Sequence, residues 1–326
     1  MSAAAGAGVR AAAARCVDAV ASSGRSLDDA LATGAGDLGP GDRSLLRLLA
    51  YGTLRHHWQL EEWLGRLLDR PLRRRDRVVQ ALLRVGLYQL NSTRVPDHAG
   101  VSATVDAARA LGRPKLAGFV NAVLRRALRD RIFDVEPSND EARFNHPQWL
   151  IDAVRTDWPE DWQDLLAASN DRAPMWLRVN TRRDTGSAYA EQLAAAGHEV
   201  TSLAGLPGAL RLAEPVAVER LPGFDTGAVS VQDAAAQLAA PWLLEGTGGR
   251  VLDACAAPGG KSGHLLELGG DRIDLTCIDN DAGRLEAVTD NLARLQFDAT
   301  VVAGDASKPG EWWDGRPYAG ILLDAP

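Results

Sequence analysis

The stretch Val251-Leu-Asp-Ala-Cys-Ala-Ala-Pro-Gly-Gly-Lys-Ser262 decides the fold. It predicts a short buried strand (Val251 to Ala254), a loop of small residues (Cys255 to Gly260) and a helix from about Lys261. In a parallel sheet, ligands bind just beyond the carboxyl ends of the strands. Gly259 and Gly260 let backbone approach a ligand with no Cβ in the way. The N–H groups that open the next helix lack internal partners, so they face whatever sits there. Two glycines alone fit an ordinary strand-to-helix turn equally well.

The following segments favour a ligand site. Ile273-Asp-Leu-Thr-Cys-Ile-Asp279 reads as a second strand ending in a carboxylate. That carboxylate lies about twenty residues past the loop, where Rossmann-like folds hold a ribose diol. A helix follows over about 281–295, then two more apolar strands, Ala299 to Asp305 and Gly320 to Asp324. Each of the four strands brings an Asp to the same edge, which single caps or turn formers would not do in register. The dinucleotide fingerprint G-x-G-x-x-G is absent. The P-loop pattern G-x-x-x-x-G-K-[ST] fits Gly260-Lys261-Ser262 but puts Cys255 where its first Gly belongs. The reading that remains is S-adenosylmethionine (SAM) in a class I methyltransferase fold.

Cys255-Ala-Ala-Pro-Gly-Gly-Lys261, with Asp279, Asp305 and Asp324-Ala-Pro326, resembles the RNA cytosine-5 methyltransferases. It is most similar to the RsmB/Sun/Fmu family of 16S rRNA (cytosine-5) methyltransferases, which carry a NusB-like (antiterminator-like) helical domain. Asn121 to Arg125, Trp176 to Asn180 and Ser230 to Asp233 support that resemblance, which runs from about residue 8 to the last residue. It implies that Cys255, Ala256, Ala257, Pro258, Gly259, Gly260 and Lys261 wrap the methionine and adenosine parts of SAM. It implies that Asp279 takes the ribose hydroxyls, that Asp305 lies by the adenine and that Asp324 sits between cofactor and target base. Methylation of 16S rRNA is the leading expectation. A non-catalytic RNA-binding or antitermination module that still binds SAM is one alternative, and a tRNA cytosine-5 methyltransferase is another.

Composition agrees with a multidomain globular chain. The 326 residues are 46% apolar, with no apolar run long enough to span a membrane and no signal-peptide pattern. Three scattered cysteines form neither a disulfide framework nor a metal site. The expectations are a cytoplasmic monomer with RNA as partner, no membrane and no metal. Net charge is −7, but residues 1–130 carry +8 and residues 131–326 carry −15. A basic module joined to an acidic one suggests that the first meets a polyanion, although arginine-rich helix faces can also be merely solvated.

The first domain, 1–135, reads as an all-α, NusB-like, RNA-binding bundle of five to seven helices, with 1–7 disordered. Leu60, Trp63, Leu64, Leu67 and Leu68, and then Leu116 to Leu128, repeat with helical spacing. His56 and His57 are expected on a helix surface. Arg73, Arg74, Arg75 and Arg77 form the densest basic cluster and are the candidate phosphate contacts, followed by Arg125, Arg126 and Arg129. Residues 136–228 read as linker and helices followed by a small α+β RNA-binding subdomain. A linker covers 132–148 and a helix runs from Pro147 to about Leu166, with Trp149, Trp158 and Trp162 packed between domains. Strands are expected at Trp176–Val179, 198–203 and 209–212, with a helix at 184–196. Arg178, Asn180, Arg182 and Arg183 project around one strand end, and Arg178 and Arg182 are candidate RNA contacts. Residues 229–326 read as the α/β Rossmann-like methyltransferase domain, with Ser230 and Asp233 capping a helix over 233–244.

Methylating C5 of cytosine requires activation, and attack of a cysteine thiolate on C6 is the known solution. In the family that the chain resembles, one Cys follows the Asp-Ala-Pro turn and the nucleophile lies on the next strand's loop. Neither Cys255 nor Cys277 matches those positions. The sheet shows four of the about seven strands that such a doubly wound fold uses, and the last would be an apolar edge. The expectation is a C-terminally truncated chain whose catalytic cysteines lie beyond its end, and which binds cofactor and RNA without turnover.

Overall fold

Helical periodicity in the first part of the chain places one apolar stripe per helix. In α4 (His57–Leu67), Leu60, Trp63, Leu64 and Leu67 are all buried. The computed structural model describes residues 3–36, 38–171 and 173–325, with side chains from residue 6 onward. Contacts divide the chain into two units, residues 1–172 and 173–326.

The first unit is all-α. It comprises α1 (Ala3–Ser23), α2 (Leu27–Ala35), α3 (Pro40–Arg55), α4, α5 (Arg77–Ser92), α6 (Asp97–Ala110) and α7 (Ala117–Arg129). Then follow α8 (Asp140–Phe144), α9 (Gln148–Asp157) and α10 (Trp162–Ser169). The alanine-rich α1 is central and touches α2, α3, α5 and α6. Its buried Ala11, Ala13 and Ala14 allow that close approach. Gly52 of α3 is obligatory: a Cβ there would stand 1.9 Å from the Tyr88 ring carbon Cζ.

Several expectations change here. The disordered start is corrected, since α1 begins at Ala3; Met1 and Ser2 lie outside the described residues. The linker at 132–148 holds α8, because the Asn139 side chain accepts the Ala142 amide at 2.8 Å and caps a turn whose Ala142 and Phe144 are buried. The helix from Pro147 breaks at Trp158-Pro159, where proline removes a donor and restricts its neighbour. Trp149 and Trp158 are exposed rather than packed, while Trp162 packs edge-on against Phe144 at 5.1 Å. His56 and His57 are half-buried, with His56 stacked on Tyr88.

The second unit holds two four-stranded sheets. The first is antiparallel, in the order β2-β3-β1-β4, built from β1 (Met175–Val179), β2 (Val200–Leu203), β3 (Leu206–Leu212) and β4 (Val229–Val231), with α11 (Gly186–Ala195) between β1 and β2. The cap expected at Ser230 is corrected. Ser230 pairs with Arg178 across the β1–β4 ladder, and only a 3-10 turn at 235–238 and the short α12 (Ala239–Leu244) follow. Asp233 still holds the turn, through the Ala235 amide at 2.9 Å.

The second sheet is parallel, in the order β7-β6-β5-β8. Its elements run β5 (Gly249–Ala254), α13 (Gly260–Gly269), β6 (Ile273–Asp279), α14 (Ala282–Leu295), β7 (Thr300–Ala303) and β8 (Gly320–Leu323). One face, with Val251, Leu275, Cys277 and Leu322, packs on α12, α13 and α14. The other face, with Leu252, Ala254 and Ile278, is covered by Ala306, Trp312 and Tyr318 of the β7–β8 connection. β8 is the outer strand among the described residues, with Ile321 and Leu323 exposed, as its sequence suggests. Among the described residues no helix is long and apolar enough to cross a membrane.

The two sheets are joined through charge. Arg178 of β1 and Glu267 of α13 are each 2% exposed as side chains and form a two-point ion pair, with Nη2–Oε1 at 2.7 Å and Nε–Oε2 at 2.9 Å. Arg178 is therefore withdrawn as an RNA contact, since its guanidinium is spent inside the fold. Removing one partner of such a pair strands a buried charge. Glu267→Ala is expected to destabilise the second unit by about 3–5 kcal/mol in chemical denaturation. A loss below about 1 kcal/mol, the range of a surface pair, would show that the pair is dispensable.

Candidate functional site

The strand order reverses between β5 and β8: the chain steps outward from β5 to β6 to β7, then returns to the other side of β5. This switch point is where open α/β sheets leave a crevice at the carboxyl ends of their strands. A cavity of about 650 Å³ opens beside it, lined by Ala254 and Cys255, Asp279 and Asn280, Asp305 and Trp312 among others. Its wall is largely apolar, with a few carboxylates at fixed places, which suits a small-molecule ligand.

The loop after β5 is tightly built. Cys255 takes a left-handed conformation (φ 65°), and the Ala256 amide donates to Ile278 O of β6 at 2.9 Å. Gly259 has φ 93°, and a Cβ there would stand 3.1 Å from the Val288 Cα of α14, so glycine is required on both counts. Gly260 opens α13 with open space around its Cα. The carbonyl of Ala257 accepts from Arg284 Nη2 at 3.1 Å.

Asp279 ends β6 and is 4% exposed. Its Oδ2 accepts the Ala257 amide at 3.2 Å and its Oδ1 the Asp281 amide at 3.1 Å, with Arg284 Nη1 3.9 Å away. A carboxylate can accept about four hydrogen bonds, so capacity remains toward the cavity. Asp305 follows β7. Its Oδ1 accepts from Ser307 Oγ at 2.7 Å and from the Ser307 amide at 2.9 Å. Those bonds, with Lys308 alongside, hold its carboxyl below the usual carboxylate range. Trp312 Nε1 donates to Asp305 O at 2.9 Å and fixes the ring over the cavity. Asp324, just past β8, is ion-paired with Lys261 of α13 and is itself well exposed. The fold thus brings Cys255, Asp279 and Asp305 to one cavity and joins Lys261 to Asp324 at the same sheet edge. Pro326 lies outside the described residues.

Asp253 was not singled out in the sequence as a site residue, yet it lies under the loop. It is 1% exposed, its Oδ2 accepts from Ser262 Oγ at 2.6 Å, and its Oδ1 has no partner among the described residues. Burial pushes its carboxyl up to about 6, against the pull of Ser262 and Lys261 and with help from Asp324 and Asp279. Asn280, Arg284, Ser307 and Trp312 were missed as well. The only local signal for them is their place just after a strand that ends in Asp.

In the helical unit, Arg73, Arg74, Arg75 and Arg77 are all exposed. Arg74, Arg75 and Arg77 share a shallow depression with Arg113 and Asp18. Arg77 is paired with Asp18 at 3.2 Å, and Arg75 and Arg113 each lie 3.5 Å from Asp76. Arg73 and Arg74 have no carboxylate in ion-pair range among the described residues. Arg125 is exposed and bonded to Asn121, whereas Arg126 and Arg129 are both held by Asp130. Of the arginines near β1, Arg182 is exposed and Arg183 reaches Gln296 at 2.7 Å. Asn180 is buried and donates to Gly227 O at 3.0 Å. Among the described residues no group of three or more His, Cys, Asp or Glu is placed to hold a metal ion.

Comparison with known proteins matches three family models along the chain. They are the NusB family over residues 8–129, the RsmF/B-like ferredoxin-like domain over 146–219, and the 16S rRNA methyltransferase RsmB/F model over 241–326. Proteins named ribosomal RNA small subunit methyltransferase B are similar over nearly the whole chain. The Vibrio vulnificus protein is 43% identical over 98% of this chain and 75% of its own length. The Pseudomonas putida protein is 45% identical over 97% of this chain and 73% of its own. Among solved structures, PH0851 shares the fold, with a TM-score of 0.75 at 22% identity, covering 98% of this chain and 74% of that one. A methyltransferase homolog from Pyrococcus horikoshii aligns with a TM-score of 0.52 at 26% identity, over 59% of this chain and 64% of its own.

The raised Asp253 pKa has a definite sign. Its folded value lies above the ordinary 3.8, so its contribution to stability is fully present below about pH 4 and is lost as pH rises through about 6. Carboxyl-carbon NMR across pH 3–8 is expected to show Asp253 titrating near 6. A midpoint below about 4.5, in the ordinary carboxylate range, would contradict the burial argument.

Proposed function

Because the chain belongs to the 16S rRNA methyltransferase RsmB/F family, we propose that it serves SAM-dependent transfer of a methyl group to C5 of a cytosine in 16S rRNA. The observation that carries this reading is the buried Asp279, held by two backbone amides at the rim of the cavity beside the switch point. The residues present fit SAM. The Asp279 carboxylate at the cavity has free acceptor capacity for a ribose diol, the Ile278 and Trp312 surfaces suit a purine, and Gly260 opens α13 with free space where a Cβ would stand. Cys255, Ala256, Ala257, Pro258, Gly259, Gly260 and Lys261 would wrap the ligand, with Asp305 by the adenine. When bound, SAM supplies an electrophilic methyl group on its sulfonium.

The chain's own residues then bind and orient. Asp324, exposed beside Lys261, would meet the base, where a carboxylate can accept from the exocyclic amine of cytosine. Attack on C6 needs a thiolate. Cys277 is fully buried and its thiol is pushed up to about 12 by burial. Cys16 sits in the helical core, where Sγ donates to Ala30 O and burial also raises its pKa. Cys255 is the first residue of the cofactor loop, in a constrained conformation. We assign none of the three to the covalent step.

RNA binding falls to the arginines that stay on the surface: Arg73, Arg74, Arg75, Arg77, Arg125 and Arg182. Such contacts position the phosphate backbone and carry little sequence information. In domain terms, residues 1–135 act as the RNA-binding helical part, 136–228 as linker helices and small subdomain, and 229–326 as the SAM-binding part.

Replacing Asp279 by Ala is expected to weaken SAM binding about thirtyfold, or about 2 kcal/mol, through lost charge-assisted hydrogen bonds. Isothermal calorimetry on the 326-residue chain checks this. Equal affinity in the variant and the parent would remove Asp279 from the ribose position.

A further inference from the structure

Two backbone carbonyls close the cofactor loop, those of Gly259 and Gly260, and each accepts a side-chain hydrogen bond from a different element. Asn291 Nδ2 of α14 donates to Gly259 O at 3.0 Å. Arg178 Nη1 of β1 donates to Gly260 O at 2.8 Å. The first of these carbonyls already accepts the Gly263 amide at 3.0 Å within the helix start. The side-chain bond is therefore not needed to satisfy it, and what it adds is position.

Both donors are themselves tied down. Arg178 is locked by Glu267 and by Gln232 Oε1 at 2.5 Å. Asn291 Oδ1 accepts from Arg294 Nη2 at 2.8 Å. The Arg294 nitrogens also reach Val229 O and Ser230 Oγ of β4, each at 3.0 Å. Two lines of hydrogen bonds thus run from the end of the loop to the small antiparallel sheet, one ending on β1 and the other on β4. Neither Arg178 nor Asn291 is among the residues lining the cavity.

We infer that Arg178 and Asn291 are positioning residues that hold the loop Cys255–Gly260 in its ligand-ready shape by tying it to β1 and β4. This rests on the SAM reading above. A loop ordered before the ligand arrives binds it more tightly, because less conformational entropy is lost on binding. The same ties make the small sheet and the cofactor loop one mechanical piece, so whatever RNA the sheet engages meets a loop whose position it helps to set.

The test uses the full chain carrying Asn291→Ala, with Asn291→Gln as the conservative variant that keeps an amide donor. SAM affinity by calorimetry is expected to fall about fivefold to tenfold in Asn291→Ala, the loss of about one hydrogen bond's worth of ordering. Hydrogen exchange without SAM is expected to speed up at the amides of 255–263 while β5 and β6 and the thermal midpoint stay as in the parent. Asn291→Gln recovers part of both effects. Parental SAM affinity and parental loop exchange in Asn291→Ala would overturn the inference. So would a uniform rise in exchange through both sheets, which marks a merely structural role. If Asn291→Ala fails to fold, Asn291→Leu, which keeps the side chain's size but removes the amide donor to Gly259 O, decides on the same readouts. A parent chain that does not bind SAM refutes the SAM reading, and the exchange data still judge the positioning claim on their own.

Discussion

A carboxylate buried at the end of a parallel strand sets the constraint on which this site depends. Taking such a charge out of water costs several kcal/mol unless hydrogen bonds replace the solvent. Asp279 recovers part of that through the amides of Ala257 and Asp281. The Ala257 amide is available only because the β5–α13 loop turns back against β6, and that turn in turn needs Cys255 and Gly259 in left-handed conformations. Loop shape and carboxylate burial are therefore one problem with one solution. The remaining acceptor capacity of Asp279 suits a ligand that carries hydrogen-bond donors.

Packing behind the loop is equally demanding. α13 sits close to α14 because Gly259 and Gly263 present no side chain; a Cβ on Gly263 would meet Leu295 Cδ1 at 2.5 Å. The Arg178–Glu267 pair packs beside the same contact, with Arg178 Nη2 3.6 Å from where a Gly263 Cβ would stand. Such a pair does little for stability when compared with apolar residues of equal volume, but once both charges are present neither can be removed alone. Its value lies in geometry: the planar guanidinium serves Glu267, Gln232 and Gly260 O at once.

Much of this was legible in the sequence for a physical reason. The strands of the parallel sheet are short apolar runs with an Asp at or just past their ends, and helical spacing separates β5 from β6 and β6 from β7, so these strands, β8, α13 and α14 follow from local pattern alone. The amphipathic helices α4 and α7 were equally plain. What was not legible depends on partners far along the chain. Arg178 reads as a surface base because its counter-charge lies 89 residues away. The one local sign was Glu267 set among the apolar residues of α13, an acid that needs a cation. Ser230 looks like a helix cap by spacing, but strand pairing with β1 claims it. α8 hides in a polar stretch because its stability comes from Asn139 and from burial of Phe144, not from periodicity.

The most direct test of the central claim is a crystal structure of the chain grown with SAM. The expected result is density in the cavity beside the β5–β8 switch point, with the ribose hydroxyls on Asp279, the adenine near Asp305 and Trp312, and the methionine end along Cys255–Lys261. SAM bound elsewhere, or bound in this cavity with its ribose turned away from Asp279, would contradict it.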